Sequence, residues 1–151
     1  MDNWPENEPD QPGSKKRLGK RRRLPDVKLK FAGQRETLYF RFEAKKLAGT
    51  GDYADLFSHT DGLGRFLRRV YGRENEAGGL LGNVQTESAE IHAERVRKAS
   101  VMDPKKYRVS ANGEWTSATW KNGPKCSFQV IHLRKCGPAI VIFYSFLAFP
   151  C

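Results

Sequence analysis

Arg65, Arg69 and Arg73 stand at i, i+4 and i+8, with Arg68 beside them. A guanidinium keeps its charge and offers a planar fork of donors that matches two oxygens of a phosphate, so four along one helix would form a row of phosphate contacts. A solvated helix face is the competing reading. A second run, Lys15-Lys16-Arg17 followed by Lys20-Arg21-Arg22-Arg23, has the form of a nuclear import signal, a phosphate-binding arm, or an anchor worth about 1 kcal/mol per basic residue on an anionic membrane surface. A solvated charge run without a function is the alternative. Trp115 and Trp120 fall on opposite faces of one expected strand, so at most one belongs fully to the core. The other is placed to stack on a base, as aromatic side chains do in RNA readers.

Other chemistry finds little support. Cys126, His132 and Cys136 form the only metal-like grouping, but along a strand the first two are separated by roughly 20 Å. No metal site is expected from them. His59 and His92 read as partly exposed helix or loop residues. There is no nucleophile elbow, Walker loop or H-E-x-x-H sequence, and Gly49-Thr50-Gly51 and Gly62-Leu63-Gly64 lack the rest of a phosphate-loop spacing. No catalytic residue, cofactor or small-molecule substrate is therefore assigned.

The charge agrees with an anionic partner. The chain has 151 residues with 27 Lys+Arg against 17 Asp+Glu, a net +10. Asp2, Glu6, Glu8 and Asp10 give −4, and the seven bases from Lys15 to Arg23 give +7. Taking this arm's +3 from +10 leaves +7 for the remainder, so a tail alone does not explain the surplus. A hydrophobic content of 38% excludes a wholly disordered polycation, and the apolar stretch Ala139 to Phe149 is too short for a spanning helix of about 20 residues. The odd cysteine count and the acidic start at Met1-Asp2-Asn3 lead to the expectation of a protein of the cytoplasm or nucleus of a host cell, not secreted, with reduced thiols.

The elements that must position these groups can be read in order. Residues 1–25, with four prolines and no hydrophobic period, are expected to be a disordered acidic-then-basic arm, and 26–151 a single domain. Val27 to Phe31 and Leu38 to Phe42 alternate as a hairpin, with Lys28, Lys30, Tyr39 and Arg41 on the solvated face. A short helix is expected around Asp52 to Ser58. Leu63, Phe66, Leu67, Val70 and Tyr71 predict a second helix from Asp61 to Tyr71, carrying the arginine row opposite its apolar face. Glu74 to Gly82, broken by Gly78-Gly79 and Gly82, reads as loop. A third helix, Ser88 to Ser100, should turn Ala89, Ala93, Val96 and Ala99 inward. A four-strand meander then follows: Lys106 to Ala111, Glu114 to Trp120, Ser127 to Arg134, and Ala139 to Ala148, with Asn112-Gly113 as a hairpin turn. The last strand, apolar on both faces, should lie centrally in the sheet, covered by helices on one side and by a tail, loop or partner on the other.

The fold class expected is α+β: a mainly antiparallel sheet, built from an N-terminal hairpin and a C-terminal meander, packed by two or three helices. In layout and charge the chain resembles the matrix proteins of negative-strand RNA viruses and the double-stranded-RNA-binding silencing suppressors. The likeness transfers no site residue. The expected function is non-enzymatic binding of nucleic acid, RNA foremost. The alternative is a matrix-type protein that binds an anionic membrane surface and self-associates as a homo-oligomer.

Overall fold

Period-two alternation folds β1 (Val27–Phe31) and β2 (Leu38–Leu47) into an antiparallel pair, with Val27 opposite Phe42 and Phe31 opposite Leu38. The computed structural model describes residues 27–31, 38–49, 53–57, 61–71 and 77–148. After β2 come α1 (Tyr53–Leu56), α2 (Leu63–Leu67), β3 (Ala77–Val84), α3 (Ala89–Met102), β4 (Thr116–Ser117), β5 (Cys126–His132) and β6 (Ile140–Ala148). They form one six-stranded sheet in the order β1-β2-β3-β6-β5-β4. Strand β3 runs parallel to both β2 and β6, and the other three pairings are antiparallel. The class is α+β, as expected. The arm, 1–25, lies outside the described residues.

The expected loop from Glu74 to Gly82 is instead largely β3, the strand that joins the N-terminal hairpin to the C-terminal strands. Its glycines are not breakers. A Cβ on Gly78 would lie 2.3 Å from the Phe66 ring, one on Gly79 2.3 Å from the Phe42 ring, and one on Gly82 2.7 Å from Leu47. Large side chains on the two sides of the sheet occupy the space that bare glycine backbone leaves.

The meander is also shorter than its sequence suggests. Residues 106–111 form no strand, because Arg108 takes a left-handed φ of 53° and the Val109 amide donates to the Pro104 carbonyl at 2.9 Å. The segment's isolated bridge runs from Val109 to His132 of β5, not across the expected Asn112-Gly113 hairpin. The Glu114 to Trp120 strand contracts to β4.

All three helices pack on one face of the sheet. Phe66 of α2 lies over Gly78, Phe57 after α1 contacts Tyr144 at 6.0 Å, and α3 buries Ala89, Ala93, Val96 and Ser100. Ser88 caps α3 by accepting from the Ile91 amide at 3.3 Å. His92, expected at the surface, is fully buried on this helix, with its Nε2–H donating to the Thr86 carbonyl at 2.8 Å. Leu80, Ile142 and Tyr144 on this side of the sheet are 0% exposed. No described helix is long and apolar enough to cross a membrane.

A polar chain threads this core. The Tyr144 hydroxyl donates to His132 Nε2 at 2.9 Å, and His132 Nδ1–H donates to the Tyr107 carbonyl at 2.8 Å. This arrangement requires a neutral imidazole, and burial lowers its pKa from 6.5 to about 4. The unfolded chain takes up the proton below about 6.5. The stability that neutral His132 confers is therefore complete above that pH and is lost as pH falls toward about 4. Chemical denaturation across this window should show a loss on the order of 3 kcal/mol attributable to His132. Its share of the slope should vanish in His132→Gln, which keeps an acceptor for Tyr144 without titrating.

Candidate nucleic-acid interface

The arginine row is divided by the way α2 ends. The helix stops at Leu67, and Arg69 takes φ 59°, so that the amides of Val70 and Tyr71 return to the Arg65 carbonyl at 2.9 and 3.2 Å. A left-handed arginine carries a conformational cost. The turn places Tyr71 at 1% exposure against Phe66, with ring centroids 5.6 Å apart, whereas Val70 is left 37% exposed. A helix continuing to Tyr71, as the periodicity predicts, would not form this turn. Arg65, Arg68 and Arg69 consequently do not share one helical face.

Arg65 is partly buried and held by several partners. Its guanidinium pairs with Glu43 at 3.4 Å and with Asp61, donates to the Tyr71 hydroxyl, and lies 5.2 Å from the Tyr71 ring centre. Glu43, on the helix side of β2, is 3% exposed and has Lys45 as a second partner at 3.2 Å. Burial disfavours the charge on Arg65, but Glu43, Tyr71 and Asp61 together outweigh it and hold the guanidinium above its ordinary pKa. Its role is to neutralise a buried carboxylate.

Arg68 and Arg69 meet a different part of the chain. The Lys135 amide donates to the Leu67 carbonyl at 3.2 Å, which sets the loop between β5 and β6 against the end of α2. Gly137, with φ 90°, has its missing Cβ position 2.9 Å from Arg69 Nη1, so the guanidinium rests on that turn. Arg108 reaches the same loop, donating to the carbonyls of Leu133 at 2.8 Å and Arg134 at 3.1 Å. Burial, and then the positive charge of Arg69, pull the buried Arg134 guanidinium below its ordinary pKa. Arg68 and Lys135, brought together by the backbone bond from Lys135 to Leu67, are exposed. Five basic residues from three separate segments thus converge at the end of the sheet where β5 turns into β6.

The bases of α3 are paired with nearby carboxylates. Arg95 forms a two-pronged bond to Glu87, and Arg97 bonds Glu94 at 2.7 Å through two nitrogens. These bonds hold both carboxyls below the usual carboxylate range. Lys98 is 4.0 Å from Glu94.

Both tryptophans pack on the sheet. Trp115 lies 4.7 Å from the Tyr144 ring on the helix side, and its Nε1–H donates to Ser100 Oγ at 2.9 Å. Trp120 lies on the opposite face, 5.0 Å from Phe143. The two indoles therefore take opposite faces, and each is only partly exposed. Arg73 and Lys15, Lys16, Arg17, Lys20, Arg21, Arg22 and Arg23 lie outside the described residues, as does His59. Cys126 is buried, which pushes its thiol up to about 11, and Cys136 is exposed. No group of three His, Cys, Asp or Glu able to hold a metal ion occurs among the described residues.

Sequence reasoning missed Arg108, Arg134 and Lys135, because their proximity to Arg68 and Arg69 depends on tertiary structure. No family model matches the chain, and no match is found among curated proteins or solved structures.

The two kinds of arginine should separate in a denaturation experiment. Arg65→Ala removes one of the charged partners of the buried Glu43 and should cost roughly 1–3 kcal/mol, because a buried carboxylate that loses a charge-assisted bond bears part of its desolvation cost. Arg68→Ala, at the surface, should change stability by less than about 0.5 kcal/mol. Urea midpoints of the two variants, compared at equal m-value, give the comparison.

Proposed function

We propose that this chain is a non-enzymatic nucleic-acid-binding protein, with RNA as the expected ligand. The observation that carries the reading is the convergence of Arg68, Arg69, Arg108, Arg134 and Lys135 around one turn. Guanidinium and ammonium groups gathered from three segments offer several donors to one phosphate, whose oxygens accept charge-assisted hydrogen bonds. The domain contact is thus centred on the α2 end and the β5–β6 turn, with Arg65 supporting it from within. The basic run Lys15 to Arg23 adds sequence-independent attraction. Since the helix row is divided, recognition would follow the spacing of phosphates around a compact patch.

Fluorescence anisotropy with a short labelled RNA duplex tests this reading on the full chain. If roughly six to ten phosphates are engaged, affinity should fall by about 10³ to 10⁵ between roughly 50 and 200 mM salt. Arg68→Ala combined with Lys135→Ala should weaken binding and reduce the slope of log affinity against log salt by about 2. An unchanged slope would remove the turn from the interface. Failure to bind RNA at low salt, with retained binding to anionic liposomes, would support the membrane-surface reading instead.

A further inference from the structure

The sheet has a second face on which no described helix packs. Phe40, Phe42, Leu81, Val141, Phe143 and Leu147 alternate onto it from β2, β3 and β6, and all remain partly exposed. Their neighbours on the helix side, Leu80, Ile142 and Tyr144, are 0% exposed. The aromatic rings form a continuous chain: Phe42 to Phe40 at 4.7 Å, Phe40 to Phe143 at 5.8 Å, and Phe143 to Trp120 at 5.0 Å. Ile131 of β5, 38% exposed, lies beside Val141 on the same side.

We infer that this face is a self-association surface, covered by the same face of a second copy of the chain. Charge distinguishes this occupant from nucleic acid. Despite the net +10, Lys46 is the one charged residue among the described residues of β2, β3, β5 and β6 that alternate onto this face. A phosphate backbone has little to hold it there, whereas a nearly uncharged face, apolar apart from Asn83, Ser127, Gln129 and Ser145, complements its own copy. The arm is unsuited to cover it, being mostly charged and polar, with Met1, Trp4, Leu18 and Leu24 its only large apolar residues.

The dimensions also fit. Strands about 4.8 Å apart and rising about 3.3 Å per residue give this face roughly 600 Å². That is about the lower end of what one partner buries in a stable complex. Two such faces can stack about 10 Å apart with strands crossing near −30°, as the sheets of a sandwich do. A two-fold arrangement leaves the helices of both copies pointing outward. This inference does not rest on the nucleic-acid reading.

Sedimentation velocity of the full chain over a dilution series tests it, alongside Phe40→Lys and Ile131→Lys. The wild type should be a dimer at micromolar concentration. Each variant should raise the dissociation constant by roughly thirtyfold or more while keeping its circular dichroism spectrum. A wild type that sediments as a monomer throughout, or folded variants that dimerise like wild type, overturns the inference. A monomer whose tryptophan fluorescence is quenched by single-stranded RNA also overturns it and assigns the face to bases. If the variants do not fold, wild-type binding of an apolar dye decides: it should rise as dilution separates the copies, and a concentration-independent response contradicts the proposal.

Discussion

A carboxylate buried among apolar side chains must be neutralised, and Glu43 imposes that requirement on the part of the fold around α2. Arg65 satisfies it from α2, assisted by Lys45 from the same strand as Glu43. Anchoring Arg65 and burying Tyr71 beside it turn the chain sharply after Leu67, so Arg68 and Arg69 are directed toward the β5–β6 turn. One pairing in the interior thus helps determine which positive charges reach the surface and where they gather.

The sheet divides the remaining chemistry. On the helix side, the bare glycine backbone of β3 admits the Phe66 ring, and the polar groups of His132, Tyr144, Trp115 and Ser100 are matched with one another or with backbone carbonyls. The other side is mostly apolar and nearly uncharged across its four described central strands, with Asn83, Ser127, Gln129 and Ser145 as its neutral polar residues. Positive charge is concentrated at one end of the sheet, while the bases of α3 are compensated by its own acids and by Glu87 just before it. The proposed phosphate-binding end and the proposed self-associating face therefore share no residues.

Much of the fold was legible in the sequence where a local rule had no rival. Ser88 before an amphipathic run marked the start of α3, alternation marked β1 and β2, and a continuous apolar run marked β6. Local rules failed where tertiary packing reversed them. Gly78, Gly79 and Gly82 resemble turn residues until the rings that lie over them are known, and neither the left-handed Arg69 nor the left-handed Arg108 has a glycine or asparagine to announce the bend. The same limit applied to the site. Helical periodicity placed Arg65, Arg68, Arg69 and Arg73 in one row, whereas the fold separates Arg65 from Arg68 and Arg69 and brings in Arg108, Arg134 and Lys135.

Hydrogen-exchange footprinting of the full chain, with and without duplex RNA at low salt, tests the location of the phosphate contact most directly. The account predicts that RNA slows exchange at Arg68 and Arg69, in the turn around Arg108, and from Leu133 to Gly137, leaving α3 unchanged. Protection confined to Lys15 to Arg23, or spread along the exposed side of α3, would contradict it.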